Sequence, residues 1–201
     1  MRFTKAFDPI LRTQSAIRVL RALDEAPSGY RATGRDIARR AGISHPTATA
    51  TLEALSREGI VEADRMAHAS MYVLNREHVL AGPLGALFAC EREAADELKR
   101  FLHDEVVRRR IPIQEAYLFG SVVRGDASTS SDIDVGVICR PDDAEGVAME
   151  METLGDDVRR RFGNELRVLV RSSRGGGGRA RVWKTIVSEG QLIFGGDTDD
   201  G

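Results

Sequence analysis

A glycine and a serine closing one apolar run, followed by two aspartates opening the next, constrain this chain more than any other feature. The string is LFGSVVRGDASTSSDIDVGVI, residues 118–138. Residues 113–119 alternate enough to form a strand, with Ile113, Ala116, Leu118 and Phe119 apolar. A glycine directly after a strand lets the backbone approach a phosphate closely. The Ser121 hydroxyl and the N–H groups opening the next helix can then hold that phosphate. A second strand is expected over 132–138. Asp132 and Asp134 lie two apart on it, so both carboxylates leave one face, about 6–7 Å apart along the chain, while Ile133 and Val135 take the buried face. Two hard carboxylates beside a phosphate cradle suit Mg²⁺ (or Mn²⁺), which keeps several waters and shares phosphate oxygens. Alone, a D-x-D or a G-S is more often a turn or a solvated edge; the order strand, Gly-Ser, short helix, Asp-x-Asp strand is the specific signal.

That order resembles the nucleotidyltransferase superfamily of DNA polymerase β, kanamycin nucleotidyltransferase and the minimal nucleotidyltransferases of toxin–antitoxin pairs. The shared hG[GS] and [DE]h[DE]h patterns fall on Phe119-Gly120-Ser121 and Asp132-Ile133-Asp134-Val135. The resemblance covers roughly residues 111–195. It implies a mixed sheet with flanking helices and an NTP as substrate or ligand. It implies Asp132 and Asp134 as metal ligands and catalytic residues, and Gly120, Ser121, Arg124 and Ser131 at the nucleotide. Active members carry a third carboxylate on the strand after the long helix, here 166–170. The position that aligns is Arg167; Glu165, two residues earlier on the same face, is the candidate replacement. An arginine there would repel a second metal ion and hold a phosphate instead. The readings are therefore transfer of a nucleotidyl group to a hydroxyl of protein, RNA or a small molecule, or nucleotide binding without turnover. The toxin–antitoxin likeness adds a third, a domain that modifies or masks a partner protein or toxin.

The front of the chain reads differently. Ile17, Leu20 and Leu23 share one face of a helix over 14–23, which Pro27, Ser28 and Gly29 stop. A short helix over 34–40, a turn at Gly42, and a third helix capped by Ser44 with Pro46 just inside it come next. Strands at 61–62 and 71–73 are joined by a polar hairpin, 63–70. This order resembles the winged helix-turn-helix of bacterial regulators. That implies DNA as partner, with Ser44, His45, Thr47 and Thr49 offered to the major groove and Arg39, Arg40, Arg57 and Arg65 to phosphates. A winged helix used only for protein contact is the alternative. The fold expected is thus α+β: an N-terminal winged helix-turn-helix (1–80), a connecting helix (81–110), a nucleotidyltransferase-type mixed sheet (111–196) and a disordered acidic tail (197–201).

Composition agrees with two modules. Residues 1–78 carry 12 Lys/Arg against 9 Asp/Glu, whereas the whole chain is at −2, so a mildly basic front precedes an acidic back. The connecting helix carries a stripe of Leu84, Leu87, Phe88, Glu91, Ala95, Leu98, Leu102 and Val106, with apolar surface enough for a homodimer. It ends at Arg108, Arg109 and Arg110, which complement the helix dipole or touch nucleic acid. The boundary is expected near 80 or near 110. Cys90 and Cys139 lack metal-ligand spacing and read as buried, reduced residues. Residues 1–10 show no apolar leader, and 79–90 is too short to cross a bilayer, so a cytoplasmic protein without membrane contact is expected. The four-glycine run within 174–179 reads as a surface linker or a lid.

Overall fold

A computed structural model describes residues 4–27, 29–65, 70–128, 131–172 and 180–195. The hairpin tip, the four-glycine run and the acidic tail lie outside them. The chain divides into two compact units, Met1–Arg92 and Glu93–Gly201.

In the first unit, short-range caps define three helices. Thr13 caps α1 (Gln14–Asp24) by accepting from Ala16 N, Thr33 caps α2 (Gly34–Ala41), and Ser44 caps α3 (His45–Arg57). Gly42, at φ 63°, supplies the left-handed residue that ends α2 and turns the chain into α3. A three-stranded antiparallel sheet of order β1-β3-β2 completes the unit: β1 (Ala32–Thr33), β2 (Val61–Arg65) and β3 (Ser70–Leu74). The strand β1 was not expected, and β2 runs three residues beyond the expected strand. Val19, Leu20, Ile37, Leu52, Leu55 and Ile60 form the core. The helix α4 (Ala81–Arg109) carries Pro83 in its first turn, where an N–H has no helical partner. Its stripe is interrupted: Leu84, Phe88, Leu98, Leu102 and Val106 are buried, but Leu87 is 54% exposed, and Glu91 and Ala95 are exposed too. Cys90 is likewise exposed, and only Cys139 is buried. The Asp24 carboxylate, nearly buried, meets Arg92 of α4 at 3.3 Å and Arg76 at 3.7 Å.

The second unit is a four-stranded mixed sheet of order β6-β5-β4-β7. Its strands are β4 (Ile113–Phe119), β5 (Ile133–Cys139), β6 (Leu166–Ser172) and β7 (Gln191–Phe194). β5 runs parallel to β6 and antiparallel to β4, and β7 is antiparallel to β4. The parallel pair follows from the crossover helix α6 (Ala144–Phe162), whose Val147, Met151, Leu154 and Val158 bury against Ile133, Val135, Val137 and Cys139. The opposite face receives α7 (Ala180–Glu189). A Cβ at Gly136 would lie 2.9 Å from Ile186 and 3.2 Å from Trp183, so this glycine lets α7 sit directly on β5. Trp183 and Ile186 are buried, whereas Val187 is 47% exposed.

Two arginines of the basic run, Arg108 and Arg109, are paired within this unit. Arg108 and Arg109 donate to Glu105 at 2.8 and 2.9 Å, and Arg109 also pairs with Asp157 of α6. The Arg108 hydrogen bond, aided by Arg109, holds the Glu105 carboxyl down at about 2. Its folded pKa is depressed, so its contribution is present above the ordinary glutamate range and fades as pH falls from about 4.5 to about 2. Glu105→Gln is expected to cost about 1–2 kcal/mol at neutral pH and little at pH ~2, read by urea unfolding at both. Equal losses at the two pH values would sink this account.

Candidate nucleotide site and winged-helix face

The strand β4 ends into Gly120, whose φ of 77° and ψ of −148° lie where glycine alone is comfortable. One turn of helix, α5 (Ser121–Arg124), follows, and Gly125 closes it at φ 74°. The reason for glycine at 120 is spatial as well: a Cβ there would meet Asp134 Oδ2 at 2.3 Å. The cradle and the second aspartate are therefore packed together. Register explains it, since Phe119 of β4 lies opposite Asp134 of β5.

Asp132 stands just before β5 rather than inside it, and it is exposed; Asp134 is half-buried. Burial pushes the Asp134 carboxyl up, and Asp132 adds to this, while Arg167 and Arg124 oppose it. Arg167 of β6 lies opposite Asp134 in the parallel register, its guanidinium 4.0 Å from Asp132. Gly120, Ser121, Arg124, Asp132, Asp134 and Arg167 thus gather at one end of the sheet. Glu165 turns elsewhere: its carboxylate pairs with Arg159 of α6 at 3.3 Å, and its carbonyl accepts from Ile133 N at 2.8 Å. Among the described residues, no cluster of three or more His, Cys, Asp or Glu is placed to hold a metal ion. The Ser131 hydroxyl accepts from Ser128 N at 2.9 Å, and the Ser131 carbonyl accepts from Asn164 at 2.9 Å, so it staples the loop before β5. Arg124 is paired loosely with Asp126 at 3.3 Å. On the same face of β4, Tyr117 donates to Glu115 at 2.6 Å, and that bond with burial raises its phenol to about 12.

In the first unit, Ser44, His45 and Thr47 are exposed at the start of α3. Several of the expected base-reading hydroxyls are already engaged: Ser44 Oγ lies 2.7 Å from Thr47 Oγ1 and accepts from Thr47 N, and Thr49 donates to the His45 carbonyl at 3.0 Å. Arg39 pairs with Asp36 at 2.8 Å, Arg40 stacks 4.9 Å over the Tyr30 ring, Arg57 is exposed, and Arg65 ends β2. Arg35, which nothing in the sequence distinguishes from the other arginines, is exposed on α2.

A helix-turn-helix with a β-wing and a mixed sheet bearing Gly-Ser beside Asp-x-Asp define a regulator-like DNA-binding module joined to a nucleotidyltransferase-type module. The comparisons agree. Residues 103–199 match the family model described as polymerase beta, nucleotidyltransferase, and residues 12–67 match that of the MarR family. The chain therefore carries an N-terminal MarR-like winged helix-turn-helix domain and a C-terminal polymerase-β-type nucleotidyltransferase domain. No curated protein matches it significantly. Among solved structures it is similar to the homodimeric winged helix-turn-helix DNA-binding domain (fragment 1–100) of a possible ArsR-family transcriptional regulator from Mycobacterium bovis. There the identity is 27%, over 46% of this chain and 77% of that one, with a TM-score of 0.33. A crystal structure of the corresponding Mycobacterium bovis fragment gives 29%, 47%, 99% and 0.31 for the same quantities. A mutant of ZitR from Lactococcus lactis gives 20%, 46%, 61% and 0.35. Among the described residues, no helix is long and apolar enough to cross a membrane.

Proposed function

We propose that this protein is a DNA-binding regulator whose nucleotidyltransferase-type domain binds a nucleoside triphosphate without the full apparatus for transfer. The observation that carries the reading is Arg167 opposite Asp134, in the place where a third carboxylate is expected. Asp132, Asp134 and the Gly120-Ser121 turn fit one divalent cation, Mg²⁺ or Mn²⁺, completed by water and phosphate oxygens. When bound, that cation would neutralise phosphate charge. Gly120 brings the backbone against the phosphate chain, Ser121 donates to it, and Arg167 supplies a fixed positive charge and a forked donor. Glu165, held by Arg159, offers no base to an attacking hydroxyl. On the DNA side, α3 enters the major groove, with Thr47 at base edges and His45, Arg39, Arg40, Arg57 and Arg65 along the phosphates. Salt-dependent binding to the protein's own upstream region is the corresponding behaviour.

Nucleotidyl transfer to a hydroxyl is the second reading, favoured by the packed pair of Gly120 and Asp134. Incubation with labelled NTPs and Mg²⁺ or Mn²⁺ separates the two. Calorimetric binding, lost in Asp132→Ala/Asp134→Ala, without label transfer to protein, RNA or small-molecule hydroxyls is the expected outcome. Label transfer abolished by that double substitution would replace the first reading with the second.

A further inference from the structure

A cavity of about 420 Å³ opens in the first unit between the start of α2, the start of α3 and the wing strand β3. Its wall is Thr33, Gly34 and Arg35 from the first, His45 and Thr49 from the second, and Ser70 and Tyr72 from the third. That wall is chemically one-sided: it brings a guanidinium, an imidazole and several hydroxyls together, and no carboxylate. The acids nearby in sequence already have partners. Asp36 accepts from Thr33 Oγ1 at 2.7 Å and pairs with Arg39, and Asp64 pairs with Arg31 at 3.4 Å. Among the described residues, neither Arg35 nor His45 makes an ion pair with a carboxylate. Gly34 is buried, and a Cβ on it would already lie 3.5 Å from both His45 Nε2 and Thr49 Oγ1, so a larger side chain there would fill the recess.

We infer that this cavity binds a phosphate group, gripped by Arg35 and His45 and supplemented by the hydroxyls of Ser70 and Tyr72. A basic, polar, half-enclosed recess without an internal counter-ion is stabilised by an anion. A guanidinium matches the paired oxygens of phosphate better than it matches halide or water. The source assigned here is a DNA backbone phosphodiester, which rests on the DNA-binding reading above. In helix-turn-helix docking the helix before the recognition helix crosses the DNA backbone, and the start of that helix, α2, forms one wall of this cavity. The phosphates of a free nucleotide share the same chemistry, so the test must tell the two apart.

The full chain is titrated with a duplex from its own upstream region and with a scrambled duplex of equal length, across a salt series. Arg35→Ala is expected to weaken both about tenfold and to reduce the slope of log affinity against log salt by about 0.9, the loss of one phosphate contact. Arg35→Lys keeps the slope and recovers part of the affinity, which separates a charge contact from damage to α2. His45→Ala weakens both duplexes as well. Should the wild type bind no duplex even at low salt, the DNA reading fails. Calorimetry with ATP on Asp132→Ala/Asp134→Ala then decides: remaining heat abolished by adding Arg35→Ala assigns the cavity to free phosphate. Unchanged slope and affinity in Arg35→Ala and His45→Ala while DNA still binds, or no duplex bound and no ATP heat sensitive to Arg35, overturns the inference.

Discussion

Gly120→Ala is expected to lower NTP affinity by at least about 100-fold and to destabilise the second unit by about 1–3 kcal/mol. Two independent costs add. The backbone at φ 77° and ψ −148° is strained for any residue with a side chain. The new methyl would also sit 2.3 Å from the nearer carboxylate oxygen of Asp134. The strand beneath cannot yield, because β5 is paired on both sides, with β4 and β6. Either the Asp134 carboxylate rotates away or the Gly-Ser turn lifts off the sheet; each separates the phosphate cradle from the cation's ligand. Calorimetry with an NTP and Mg²⁺ reads the affinity, and urea unfolding reads the stability. Wild-type affinity in this variant would mean that nucleotide does not bind at this turn.

The second large effect is expected from Arg167→Asp. Parallel register sets position 167 opposite Asp134, and its guanidinium already reaches to 4.0 Å from Asp132. A carboxylate there assembles three acids where the native chain has two acids and a cation. Mn²⁺ binding without nucleotide is expected to tighten by about tenfold or more, because a charged ligand replaces a repelling charge. NTP affinity without added metal is expected to fall by about tenfold, since the phosphate loses its guanidinium. The gain should fade as pH falls, because Asp134 already titrates above the ordinary aspartate range and another acid raises it further. The signature is the opposite sign of the two changes. A drop in both would mark Arg167 as a structural residue.

How far the sequence could be read depended on whether a feature was local. Thr13, Thr33, Ser44 and Gly42 mark their helix ends within a few residues, and Gly-Ser with Asp-x-Asp announces its own fold. The strand β1 is two residues long and exists because β3 lies beside it, so no periodicity could reveal it. The expected strand at 132 begins one residue later, since its first ladder partner is Leu166 opposite Ile133. Arg167 and Glu165 differ in sequence by two positions, yet they face Asp134 and Arg159 respectively. Deciding between them required the register of β5 on β6, which arises across about thirty residues of intervening chain. For the hydroxyls of Ser44, Thr47 and Ser131, sequence shows donors but not the partners they have within the fold. The exposed Cys90 and Leu87 follow from how α4 turns against its unit, which a stripe drawn over residues 84–106 does not fix.

The close seat of α7 on β5 has an optical corollary. The chain contains one tryptophan, and that residue, Trp183, lies against Gly136, two positions along the strand from Asp134, with the Arg171 guanidinium 5.8 Å from its ring. Its emission therefore comes from a single indole, unmixed with signals from the winged helix. A cationic neighbour and a buried ring make that emission sensitive to small changes of local field. The protein carries its own fluorophore beside the candidate nucleotide site, so stopped-flow mixing can follow events there without an attached label.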